Sequence, residues 1–161
     1  MSIDFAAKRV TQERVIAADA VTIFDIVSDP RMHSVMDGSG MLQGELKGPE
    51  RLTMGAKFGM RMKQYGVPYM ISNRVVEFEP NRLVAWRHIG RHRWRYELEP
   101  QATGTLVRET FDWSPTPFLY GKMLERFEYP KAHDRNILRT LENLDRLACE
   151  RQAELDGDVT G

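Results

Sequence analysis

Residues Lys131–Glu154 read KAHDRNILRTLENLDRLACERQAE. The stretch has no glycine and no internal proline, and its strong helix formers predict one long helix. Ile137, Leu141, Leu144 and Ala148 recur at helical spacing along one face, with Leu138 and Leu147 beside them. Arg135, Arg139, Glu142, Arg146 and Glu150 fall on the opposite face. A helix with one apolar stripe needs a large apolar surface to lie on. Residues 42–114 are the part of the chain that offers one.

That region alternates. Lys57 to Tyr65 sets Phe58, Met60 and Met62 against Lys57, Arg61 and Lys63. Gly66 turns the chain into a long strand over 67–79, which Pro80-Asn81 closes. Arg82 to Ile89 carries Val84, Trp86 and His88 on one face, and 92–99 carries Trp94, Tyr96 and Leu98. The last strand, 105–113, carries Val107, Glu109, Phe111 and Trp113. A first strand is predicted at 8–17 and a short one at 41–47. Between those two, Asp19 caps a helix AVTIFDIVS, and Arg31 to Met36 adds a helical turn. Hairpin-length connections make the sheet an antiparallel meander with one buried face.

Segregated elements of this kind predict an α+β fold, in which a curved antiparallel sheet of six to seven strands wraps the C-terminal helix. The length suits one domain over 1–161, with a core of about 8–154 and a frayed tail at 155–161. Residues 115–130, punctuated by Pro115, Pro117, Gly121 and Pro130, read as a short helix or lid that contains Phe127.

Lysine plus arginine equals aspartate plus glutamate, 23 against 23, so the electrostatic footprint of a general nucleic-acid binder is missing. No apolar run approaches the roughly 20 residues of a membrane-spanning helix, and MSIDFAAKRV has no signal-peptide core. A single cysteine, Cys149, excludes an internal disulfide, and a cytoplasmic location is expected.

The chain resembles the START-like, helix-grip superfamily (SRPBCC), nearest its polyketide cyclase/dehydrase and lipid-transport branch. The resemblance spans about residues 8–150. It rests on ADAVTIFDIVSDP, TMGAKFGMRM, NRVVEFEPNRLVAWRH, WRYELEP, GTLVRETFDW and the C-terminal helix. Ala17-Ala18 replaces a proline common before the first helix, and Met36 an expected aromatic. The resemblance implies a cavity between sheet and helix for a small hydrophobic or amphipathic ligand; no cofactor is expected, and the chain is expected to be a monomer or homodimer.

The inward set Phe58, Met60, Met62, Trp86, Trp94, Tyr96, Phe111 and Trp113 fits either a solid core or a pocket lining. The resemblance favours the pocket, with Tyr69 near its mouth, Phe127 in the lid, and Ile137, Leu141 and Leu144 on the helix side. Strand alternation also turns Glu109, His88 and His92 inward. A buried carboxylate near imidazoles is the residue set for proton transfer, which makes Glu109 and His88 the catalytic candidates of a cyclase-, aromatase- or dehydratase-type alternative. Against that stand two plain readings: a structural pair with an inward Arg74, or a bulge that turns Glu109 outward. His33, His88, His92 and His133 show no paired metal-ligand spacing, so no metal is expected.

Overall fold

The computed structural model describes residues 2–159, apart from the side chains of Glu45 and Leu46. Its strands are β1 (Ile3–Asp4), β2 (Arg9–Ile16), β3 (Leu42–Lys47), β4 (Lys57–Gln64), β5 (Val67–Glu79), β6 (Leu83–Arg87), β7 (Arg93–Gln101) and β8 (Gly104–Asp112). The helices are α1 (Ala20–Val27), α2 (His33–Met36), α3 (Phe118–Arg126) and α4 (Tyr129–Val159). The strands form one antiparallel sheet in the order β1-β2-β8-β7-β6-β5-β4-β3. β2 therefore lies beside the last strand, in continuous register from Arg9↔Asp112 to Ile16↔Thr105. The α+β helix-grip architecture is as the sequence predicts.

Two details differ. The sheet has eight strands rather than six or seven, because Ile3–Asp4 folds back on β2 through a turn that Asp4 closes by accepting the Ala7 amide at 2.8 Å. Two residues are too few to show a period. The helix also runs on through residues 155–159, where a frayed tail is predicted, with Gln152 Nε2 donating to Asp156 Oδ1 at 3.1 Å. Residues 160–161 of that expected tail lie outside the described residues.

The phase of α4 follows its apolar stripe. Ile137, Leu141, Leu144 and Ala148 are buried, and Arg135, Arg139, Glu142, Arg146 and Glu150 are exposed. Each fully buried leucine contributes about 1.5–3 kcal/mol from transfer alone. Side chains pin the helix to β2 and α1. Arg14 Nε meets Asp145 Oδ2 at 2.6 Å, Gln12 Nε2 donates to Asp134 Oδ1 at 2.7 Å, and Gln152 Oε1 accepts from the Asp19 amide at 3.0 Å.

The turn after α2 comes very close to the same helix. The Gly38 amide donates to Thr140 Oγ1 at 2.9 Å, and a Cβ on Gly38 would lie 2.4 Å from the Asn136 carbonyl oxygen. Only glycine permits that approach. Sheet, α2, α3 and the first half of α4 are thereby held around a common interior space.

Candidate functional site

That space is a cavity of about 270 Å³ between the concave face of the sheet and α4. β4 supplies Phe58, Met60 and Met62; β5 supplies Tyr69; β6 and β7 supply Trp86, Trp94 and Tyr96. Glu109 and Phe111 come from β8, and Ile137 from α4. His88 and His92 lie just beyond the ends of β6 and β7, and their side chains reach the same wall.

Four of the expected lining residues lie elsewhere. Trp113 is fully buried behind the wall, where its indole N–H donates to Glu125 Oε1 at 3.2 Å and ties α3 to the sheet. Phe127 follows α3 and is 69 % exposed. Leu141 and Leu144 are buried in the core, past the end of the cavity. The helix meets the cavity one to two turns earlier, through His133, Asn136, Ile137 and Thr140. Their 133, 136, 137, 140 spacing is the apolar stripe continued in polar residues, a signal that a search for hydrophobic periodicity passes over. His33, Asp37, Asn73, Tyr120 and Tyr129 also reach the wall without having been singled out for it.

Two polar poles sit in this largely apolar space. At one, Glu109 on β8 is the cross-strand partner of Tyr96 on β7 and is 3 % exposed. Pairing is unbroken through Glu109 on both sides, which removes the bulge. Arg74 is exposed and faces away, which removes the ion pair. Burial pushes the Glu109 carboxyl up to about 8; the Tyr96 hydroxyl, hydrogen-bonding to it, pulls the other way, and the Asp37 charge adds to the rise. At neutral pH the group is therefore mostly a neutral acid. Asp37 accepts from Ser39 N, Ser39 Oγ and Leu42 N at 2.8–3.1 Å and so shapes the loop that closes this end. His33 stacks on Trp86 at 4.6 Å, with its Nε2 2.8 Å from the Val27 carbonyl oxygen.

The second pole is a group of imidazoles. Arg87 pairs with Arg93, so His88 and His92 face each other across the following turn, ring centroids 3.8 Å apart and planes near perpendicular. Gly90 in that turn leaves room for Tyr120, whose Cε1 would lie 2.7 Å from a Cβ there; the Tyr120 ring stacks over His92 at 6.1 Å. His133 reaches in from α4, 4.2 Å from Phe111 and 4.9 Å from Trp94. Burial lowers all three imidazoles. His92 falls to about 3, with His88 and His133 adding repulsion, and His133 to about 4, with His88 adding to it. Among the described residues no group of three or more His, Cys, Asp or Glu is placed to hold a metal ion.

Glu109 and His88 thus share a cavity without forming a pair. The groups that act on Glu109 are Tyr96 and Asp37, and those that act on the histidines are other histidines. Four buried polar atoms of lining residues have no hydrogen-bond partner: Asn73 Oδ1, His92 Nδ1, Glu109 Oε2 and His133 Nδ1.

No helix among the described residues is long and apolar enough to cross a membrane. The chain is 40 % identical over 145 residues to the uncharacterised protein Rv0088 of Mycobacterium tuberculosis, a match that covers 88 % of this chain and 65 % of that one. It thus spans about two thirds of the length of the curated relatives it matches, just 65 %. Among solved structures, protein NE0264 of Nitrosomonas europaea superposes with a TM-score of 0.71 at 18 % identity, covering 94 % of this chain and 99 % of that one. The AHSA1-like protein of Aeromonas hydrophila gives 0.64 at 14 % identity, covering 89 % and 93 %. At those identities the likeness is one of fold. The family model for polyketide cyclase / dehydrase and lipid transport matches residues 7–148, and the chain belongs to that family.

Proposed function

We propose that the chain binds one small, largely hydrophobic molecule carrying polar groups, in the cavity between the sheet and α4. The observation that carries this reading is the set of four unpartnered polar atoms in an aromatic and methionine-rich wall. Each such atom costs about 1–3 kcal/mol when buried without a partner, a poor bargain for a core and a natural one for a ligand site. An apolar cavity of about 150 Å³ takes one benzene ring. One of about 270 Å³ suits a molecule of roughly two rings or an equivalent chain.

Trp86 and Trp94 stand on the wall, so binding is read from intrinsic fluorescence. Titration with the neutral ketone 2-acetylnaphthalene is expected to give saturable quenching that a bulkier Met60→Trp wall weakens. Absence of saturable binding, together with no co-purified small molecule in native mass spectrometry, would refute the reading.

A second reading, proton transfer on an enolisable ligand, is favoured by one observation. Glu109 is an acid held near neutrality inside the cavity, with one oxygen unpartnered. It would work with Tyr96 rather than with His88. Hydrogen–deuterium exchange alpha to the carbonyl of a bound ketone tests it. Equal rates for wild type and Glu109→Gln would dismiss it.

A further inference from the structure

The imidazole pole narrows the chemistry of the ligand, an inference that rests on the binding reading above. The groups that line this pole are His88 and His92 from the β6–β7 turn, His133 and Tyr129 from α4, Tyr120 from α3 and Tyr69 from β5. None is a carboxylate, and no carboxylate acts on any of the three imidazoles. The cavity's acids, Glu109 and Asp37, belong to the opposite pole. Every titratable side chain here is an imidazole, which can donate a hydrogen bond and take up positive charge, or a phenol, which can donate a hydrogen bond. Two of the imidazoles present buried, unpartnered Nδ1 atoms.

We propose that His88, His92 and His133 form an oxyanion-binding pole, and that the ligand is a hydrophobic carboxylic acid taken up together with one proton. A bare carboxylate would be costly in this apolar enclosure, and so would a lone imidazolium. Together they form a neutral, charge-assisted pair. The anion arrives from water, a proton follows onto one imidazole, and no net charge is buried. At the far end the pair of neutral Glu109 and Tyr96, which has one O–H beyond its mutual hydrogen bond, offers a donor to a carbonyl or hydroxyl of the same molecule. Before binding, the three imidazoles are neutral at pH 7, because burial holds them all below the usual histidine range and neighbouring imidazoles add repulsion at His92 and His133. The proton count therefore changes on binding, which gives a direct readout.

The test compares 2-naphthoate with its uncharged amide, 2-naphthamide, by calorimetry in phosphate and Tris buffers. About one proton taken up per naphthoate is expected, and none per naphthamide. Naphthoate affinity should rise roughly tenfold for each pH unit between 7.5 and 5.5, and naphthamide affinity should stay flat. His92→Gln and His133→Gln should reduce the preference for naphthoate over naphthamide about tenfold and flatten the pH slope. The half-buried His88→Gln is run in parallel, in case a buried substitution impairs folding. Equal, pH-independent binding of naphthoate and naphthamide overturns the acid pole and leaves the hydrophobic cavity standing. No binding of either probe, nor of 2-acetylnaphthalene, overturns both. Proton uptake that disappears in Glu109→Gln and persists in the histidine variants overturns the assignment by moving the proton to the other pole.

Discussion

Tyr96 and Glu109 face each other across β7 and β8, both buried, and the carboxyl meets a hydroxyl instead of a cation. Burying a carboxyl in this way penalises its charged form. Between its ordinary value of 4.5 and about 8, the folded chain holds a proton on Glu109 that the unfolded chain releases. Stability from this group is thus fully present at low pH and falls as pH rises through that window, by at most about 1.4 kcal/mol per unit. Glu109→Gln, which keeps the shape without the charge, should overtake wild type as pH rises from 6 to 9. Urea titrations over that range check it, and parallel pH profiles for the two proteins would contradict it.

Histidines set the opposite limb. His33 and His133 are held near 4 and His92 near 3, in each case chiefly by burial. The unfolded chain binds protons on them first, so their contribution is lost as pH falls from about 6.5 towards 4. Three such groups outweigh Glu109 in that interval, and a stability maximum near pH 6.5 is expected. His133→Gln should make the acid limb shallower. An unchanged limb would show that His133 is open to water.

Leu141→Ala should cost about 2–5 kcal/mol, as buried leucine truncations do. Arg139→Ala, on the exposed face, should stay within about 0.5 kcal/mol. Equal melting temperatures would mean that the phase of α4 is wrong.

Gly38→Ala sets a methyl group against the Asn136 carbonyl, 2.4 Å away. Backbone cannot move aside cheaply, so a loss of about 1–3 kcal/mol is expected, as for other overpacked sites. Gly157→Ala, in open space near the end of α4, should instead be neutral or gain up to about 1 kcal/mol. Thermal melts of the two variants should move in different directions, or only the first should move.

Where the sequence was legible, the reason is period. The stripe of α4 and the alternation of β4, β7 and β8 fixed which side chains point inward, and Phe58, Met60, Tyr96, Glu109 and Phe111 all do. Alternation says nothing about distance along a strand. Glu109 is level with Tyr96, whereas Arg93, the residue after His92, is level with Asp112, three residues farther along β8 and so roughly 10 Å away. That is why the expected Glu–His pair does not form. Phe127 sits where prolines erase any period, and His133 sits where the helix stripe turns polar, so periodicity places neither.

Arg14 and Gln12 on β2, with Asp19 before α1, bind α4 by side-chain hydrogen bonds, yet among the described residues none joins β4 or β5 to that helix. The strand-borne polar ties to α4 thus lie on the β2 side of the cavity, whereas the β4–β5 side contributes wall, through Phe58, Met60, Met62 and Tyr69, and no such tie.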